Sequence, residues 1–241
     1  MRILIIRHGD PDYQNDSLTE KGWREAELLR DRLTQLPIDA FYCSPLGRAK
    51  ATAKPTLQAL HKDAEICDWL REFDGTVIDP QDGNSTCPWD RLPSFFAGAP
   101  GYFHNGQWLS MPLFTNTNVG EKYRTVCENL DALLLRHGYR HTQTFFRVEQ
   151  ENTQTIAMFC HFGVACVLLS HLLNISPVAL WQGFVALPSS VTTLYTEERQ
   201  QGIASLRCCG FGDISHLYAG AEPPSFQARF CETFSNFEQR H

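Results

Sequence analysis

Three short apolar runs in this chain each end in a side chain suited to holding or attacking phosphate. The first is Ile3-Leu4-Ile5-Ile6, followed without a spacer by Arg7-His8-Gly9. The second, Asp39 to Cys43, leads through Ser44-Pro45 to Arg48. The third, Ile156 to Cys160, leads into His161-Phe162-Gly163. An imidazole can act as a nucleophile and carry a covalent intermediate. Guanidinium forks pair bidentately with phosphate oxygens and stay charged at working pH. Phosphoryl transfer asks mainly for positioning and charge neutralisation. The set therefore suits in-line attack by His8 on a phosphate monoester, with Arg7, Arg48 and His161 around the equatorial oxygens. Neighbouring arginines should depress the pKa of His8 and leave it neutral. Arginine supplies the positive charge, so the scheme needs no metal and no cofactor. The leaving alkoxide needs a proton. Glu72, beyond a further apolar run at Ile66 to Leu70, is the best-placed donor, with Asp10 second.

For these groups to meet, the runs must be neighbouring parallel strands, because ligands bind at the carboxyl ends of strands in open α/β sheets. The intervening sequence supplies the crossovers. Thr19 is an N-cap with Glu20 in the first turn, and Trp23, Ala26, Leu29, Leu33 and Leu36 recur at helical spacing until Pro37. Ser44-Pro45 reads as a cap followed by a proline at the first helical position, which puts Arg48 in a first turn, where the dipole favours an anion. Pro55 should kink that helix. Asn118 and Glu121 resemble a capping box, Tyr123, Val126, Leu130, Leu133 and His137 mark a buried face, and Gly138 ends the helix. Thr144–Val148 and Ile156–Cys160 read as two strands joined by a polar hairpin loop. A nearly all-apolar helix, Val164 to Leu173, follows, and then a closing strand pair at Val191–Thr196 and Ile203–Cys208.

The expected architecture is one α/β domain over residues 1–241. It has three layers: a mostly parallel sheet with helices on both faces, and an irregular, aromatic-rich cap inserted at about residues 73–120. That insertion holds five prolines, six glycines and eight large aromatics, which argues for an ordered binding loop rather than a disordered one. Whether its aromatics face a ligand or form a local core is open from the letters alone.

Composition excludes some functions. Hydrophobic residues make up 43% of the 241 and charged residues 20%, as in a globular protein. A net charge of −6 argues against a nucleic-acid partner. Nine cysteines, an odd number without Cys-x-x-Cys spacing, suggest reduced thiols in a cytoplasmic protein. Ile156 to Leu173 could be mistaken for a membrane span, but His161, Gly163, Ser170 and His171 interrupt it, so no membrane partner is expected. A cysteine-phosphatase loop needs five residues between Cys and Arg; Cys43 and Arg48 have four. No His-Glu-x-x-His occurs, and His137 and His141 straddle Gly138, so no metal site is expected. Oligomeric state cannot be read.

Arg7-His8-Gly9, Leu18-Thr19-x-x-Gly22, Ser44-Pro45-Leu46-x-Arg48-Ala49, Leu70-x-Glu72 and His161 occur in order along the chain. This set resembles the histidine phosphatase superfamily, on its phosphoglycerate-mutase-like side, over nearly the whole length. The resemblance implies His8 as phosphohistidine nucleophile, Glu72 as proton donor, and Arg7, Arg48 and His161 as the phosphate-binding shell. Gly9 and Asn15 complete the expected substrate contacts. The sequence departs from the family pattern at Phe162, where many members have glycine, and at Asp10-Pro11, which replaces an acid-Ser/Thr step. It has no Arg-Arg pair of the kind that holds a phosphoglycerate carboxylate, and no His-Asp after the second motif histidine. Both absences favour a phosphatase of small phosphorylated metabolites. A phosphomutase on the same scaffold and a catalytically idle phospholigand-binding module are the alternatives. Simpler pairings also stay open: Arg48 with Asp12 or Asp16, and Glu72 with Arg71.

Overall fold

A computed structural model of the chain describes residues 1–79, 83–89, 91–227 and 229–240. Its centre is β1 (Arg2–Arg7). The strand is apolar on both faces because it has helices on both faces. Leu4 and Ile6 point to one side, into a core shared with Leu29, Leu33, Ala49 and Ala53. Ile3 and Ile5 point to the other, into a larger core with Leu130, Leu134, Val164 and Leu168. Complete burial of one such isoleucine contributes about 2 kcal/mol. The same alternation runs through β2 (Ala40–Cys43), where Phe41 and Tyr42 face opposite cores.

The helices flanking β1 are α1 (Glu20–Leu33) and α2 (Gly47–Leu60) on one side, and α3 (Val119–Arg136) and α4 (Phe162–Leu173) on the other. The remaining sheet strands are β3 (Glu65–Ile66), β4 (Tyr139–His141), β5 (Phe146–Val148), β6 (Thr155–Cys160), β7 (Val191–Gln200) and β8 (Ile203–Asp213). All eight form one sheet in the order β3-β2-β6-β1-β7-β8-β5-β4. From β3 to β1 every pairing is parallel; from β1 to β4 every pairing is antiparallel. The α/β fold is as expected, but the sheet is mixed rather than mostly parallel, three of its seven pairings being parallel, and that parallel half holds the three phosphate-suited strand ends. Register brings those ends level: Arg7 lies opposite Cys160, and Phe159 opposite Cys43.

Several elements differ from the sequence reading. The run Ile66–Leu70 is a strand only to Ile66; Asp68–Leu70 form a 3₁₀ turn. That turn carries Leu70 into the core, whereas Ile66 stays half exposed. Thr144–Val148 and Ile156–Cys160 are not partners. Phe146–Val148 instead pairs with Tyr139–His141 at the far edge of the sheet, burying Tyr139 and Phe146. Gly138, at φ +85°, makes the turn out of α3 into that hairpin. The Thr19 cap is as read, its hydroxyl accepting from the Gly22 amide. Asn118 precedes α3 but its side chain does not cap it: its Oδ1 accepts from the Thr76 amide. Pro55 sits inside α2, which continues unbroken to Leu60.

Of residues 73–120, positions 80–82 and 90 lie outside the described residues. The described part folds into three 3₁₀ turns and loops. Phe73, Phe96, Tyr102, Trp108 and Phe114 are buried and continuous with the larger core. Edge-to-face contacts such as Trp108 on Phe114 (5.1 Å) and Phe96 on Tyr102 (5.3 Å) knit them together.

Candidate active site

His8 and His161 follow paired parallel strands, and their rings lie 5.0 Å apart. Both are buried. The His8 Nδ1 lies 2.8 Å from the Gly9 carbonyl oxygen. A carbonyl can only accept, so Nδ1 carries the proton and Nε2 keeps a free lone pair. Burial first, then the charges of Arg7 and Arg48, lower the pKa of His8 to about 3, so the ring is neutral at ordinary pH. The Nε2 of His161 lies 2.7 Å from the Ser44 hydroxyl, which also accepts from the Leu46 amide at 3.2 Å. Burial and the neighbouring His8, Arg48 and Arg7 hold His161 far below its ordinary pKa. Its Nδ1 is buried with no protein hydrogen-bond partner.

The two arginines arrive from different directions. Arg7 donates through Nη1 to the Ala186 carbonyl and lies 5.8 Å from the centre of the Phe162 ring. Its backbone amide donates to Ser190, and the Ser189 amide donates to the His8 carbonyl at 3.0 Å. The loop before β7 thus clasps the end of β1. Arg48 is on the first turn of α2, paired through Nη1 with Asp16 Oδ1 at 2.8 Å. Asp16 also accepts from the amide of Gly47 at 2.6 Å. This corrects two expectations. Leu46, not Ser44, is the N-cap of α2, and the anion on that helix terminus is Asp16, carried there from the polar loop at φ +45°. A Cβ at Gly47 would sit 2.0 Å from the Asp16 carbonyl, which is why glycine opens the helix. The Nε atoms of Arg7 and Arg48 are buried without a protein acceptor.

Glu72 reaches α4 from outside the sheet. Its Oε1 accepts from the amides of Phe73 (2.8 Å) and Val164 (3.1 Å). Burial pushes its pKa up, against the pull of those two amides and of Arg7. The approach depends on Gly163, where a Cβ would lie 2.7 Å from Glu72 Oε1 and 2.6 Å from Trp89 Cη2. Trp89, from the aromatic stretch, therefore closes over the start of α4.

Gly9 donates its amide to Thr52 Oγ1 at 2.9 Å, and a Cβ there would sit 2.9 Å from the Gly22 carbonyl. Its absence of a side chain serves the close fit of the loop on α1. Asn15 is not brought to the other site residues: it is exposed, and its side-chain amide donates to Asp12 at 2.7 Å. Its neighbour Tyr13 lies 5.5 Å from the Arg48 guanidinium. Asp10 is buried and its carboxylate is held by the Thr19 hydroxyl (2.7 Å) and the Ser225 hydroxyl. It pins the C-terminal segment to the loop after His8. Of the two partners open to Arg48 the fold selects Asp16; sequence reading missed Ser44 as a partner of His161, and Gly163 with Trp89, and of these only the strand-end position of Ser44 carried a signal.

Residues 3–86 match the model of the histidine phosphatase superfamily (branch 1). A probable phosphatase of Schizosaccharomyces pombe is 24% identical over 233 residues, covering 90% of this chain and 95% of that protein. The adenosylcobalamin/alpha-ribazole phosphatase of Salmonella typhimurium is 23% identical, over 75% of this chain and 84% of its own. Among solved structures, phosphoserine phosphatase from Entamoeba histolytica superposes with a TM-score of 0.57 at 19% identity, covering 90% of this chain and 98% of that one. Alpha-ribazole phosphatase from Shigella flexneri gives 0.54 at 20% identity, covering 89% and 97%. The chain shares the fold of these two phosphatases.

Proposed function

We propose that this protein is a phosphoric monoester hydrolase that acts on a small phosphorylated metabolite through a phosphohistidine at His8. The observation that carries the reading is a pair of buried imidazoles 5.0 Å apart, with the half-buried Arg7 and Arg48 near enough to act on both. His8 presents an unprotonated Nε2, while His161 Nδ1 and the Nε atoms of Arg7 and Arg48 lack protein partners. A tetrahedral dianion satisfies all of them. With the Ser44 hydroxyl donating to His161 Nε2, the proton of that ring is on Nδ1 and is available to a phosphate oxygen.

In the first step His8 Nε2 attacks phosphorus and the P–O bond to the leaving group breaks. Glu72, whose pKa burial pushes up, gives its proton to the departing alkoxide. In the second step the resulting Glu72 carboxylate takes a proton from water, whose oxygen attacks phosphorus. The P–N bond breaks, phosphate leaves, and His8 and Glu72 return to their starting states. The arginines stay charged throughout and balance the oxygens in the transition state. The phosphatase-named relatives, and the phosphoserine and alpha-ribazole phosphatases that share the fold, support a small phosphorylated substrate.

The test is hydrolysis of p-nitrophenyl phosphate and a metabolite panel in the presence of EDTA, with quenching in alkaline detergent to look for a labelled protein and later acid treatment to release the label. The expected result is phosphate release and an acid-labile phosphoenzyme that His8→Ala lacks. Undiminished turnover by His8→Ala overturns the assignment. Formation of a positional isomer in place of free phosphate would make the protein a mutase.

A further inference from the structure

A second group of histidines lies away from the phosphate cluster, and its chemistry is opposite. Asp131 of α3, His141 of β4 and His171 of α4 converge on one point. His171 Nε2 is 2.8 Å and His141 Nδ1 is 3.1 Å from the same oxygen, Asp131 Oδ1. One atom from each residue falls within 4.8 Å of the others. His171 lies ten residues beyond His161, about 15 Å along the helix from the phosphate end. We infer that Asp131, His141 and His171 form a binding site for a divalent transition-metal ion, zinc being the natural occupant.

Each ligand is set by its own element, so the arrangement does not depend on one flexible loop. The His141 ring stacks on the buried Phe146 (4.7 Å, 22° between planes). Tyr123, two turns before Asp131, hydrogen-bonds through its hydroxyl to Ser170, next to His171, at 2.9 Å and locks α3 against α4. The two imidazoles meet edge to face, centroids 4.3 Å apart at 82°, so their ligand nitrogens address a common point from different directions. Around a tetrahedral zinc, with bonds near 2.0–2.2 Å, neighbouring ligand atoms stand about 3.3 Å apart. The two N···O spacings need to open by only a few tenths of an ångström, and the two ligand nitrogens already lie within 4.8 Å of each other. Two imidazoles and one carboxylate favour zinc or its first-row neighbours over magnesium or calcium, which prefer all-oxygen shells. The three side chains retain 12%, 17% and 36% of their exposure for His141, His171 and Asp131, so a fourth position is open to water. On binding, each neutral imidazole moves its proton to the other ring nitrogen and the metal replaces both N–H···O contacts with Asp131.

A purely hydrogen-bonded carboxylate clamp has the same shape, and the experiment separates the two. Cys208 and Cys209 are exposed thiols that could also take zinc, so the parent protein for the test is the full chain with both changed to serine. Calorimetric titration with zinc chloride is expected to show one equivalent bound, with a rise in melting temperature. His171→Gln and Asp131→Asn, both checked for folding by circular dichroism, should each weaken that binding at least ~10-fold and abolish the thermal shift. Asparagine still accepts hydrogen bonds from both histidines, so loss of zinc in that variant is not explained by a broken clamp. Absence of zinc binding in the parent overturns the proposal, as does binding that survives unchanged in both variants.

Discussion

The two histidine pairs of this molecule face opposite partners. His8 and His161 are at the ends of parallel strands, buried and approached by two guanidinium groups, with no carboxylate bonded to either ring. His141 and His171 lie at the antiparallel edge and on the far part of α4, half-buried, with a carboxylate between them. Imidazole is the same in both places; its neighbours decide the chemistry. Cations and burial give a neutral ring beside a place for an anion. A shared carboxylate gives two aligned nitrogens beside a place for a cation.

The sharpest way to break that contrast is to remove the nucleophile. His8→Ala should lower phosphatase kcat by about 10⁴-fold or more, measured with p-nitrophenyl phosphate. Glu72→Gln keeps the acceptor for the amides of Phe73 and Val164 but loses the transferable proton. Its kcat should fall by about 10²–10⁴-fold on alkyl phosphates and far less on p-nitrophenyl phosphate, whose leaving group needs little help. Equal losses on both substrates would remove Glu72 from the acid role. Gly163→Ala sets a methyl against Glu72 and Trp89; a kcat loss of about 10-fold is expected, with KM little changed. Asp16→Asn should raise KM by about 3- to 10-fold by loosening Arg48, with kcat nearly preserved.

A last effect concerns stability beneath the first pair, read on a different scale. Glu25, buried under the loop after His8, accepts from the Asp10 amide at 2.7 Å, and burial raises its pKa to about 7. Its ordinary value is 4.5, so between pH 4.5 and 7 the folded state holds a proton that the unfolded state has lost. Stability from this group is therefore full below 4.5 and declines as pH rises through 7. Glu25→Gln should flatten that decline, by up to about 3 kcal/mol at pH 8 in denaturant titrations.

The strand-end groups were legible because the rule that exposes them is local: an apolar run, then a polar residue, then a turn or a helix start. β1, β2 and β6 each obey it, and α1 carries its cap and period within its own residues. What could not be read depends on distant partners. Asp16 reaches α2 across 31 positions, as the pairing of its Oδ2 with Gly47 shows. Nothing around Asp16 distinguishes it from Asp12 as the mate of Arg48. The hairpin of β4 and β5 was hidden because each strand has three residues, too few for alternation to register. Gly163 and Trp89 are 74 positions apart, and only the folded chain reveals that one exists to admit the other. Asp131, His141 and His171 share no spacing motif, since each comes from a separate element.

The bond between Asp10 and Ser225 has a consequence for how the protein comes into being. The residues around His8 are made early relative to their partners: the loop behind them is fastened by residues made more than two hundred positions later. Glu222 adds a second fastening to the same helix, through Lys21 at 2.6 Å and Arg24 at 2.8 Å. A nascent chain that has already displayed its sheet and both site histidines still has a loose end beside His8. The loop after His8 is thus completed only when a segment made more than two hundred positions later has folded back onto it.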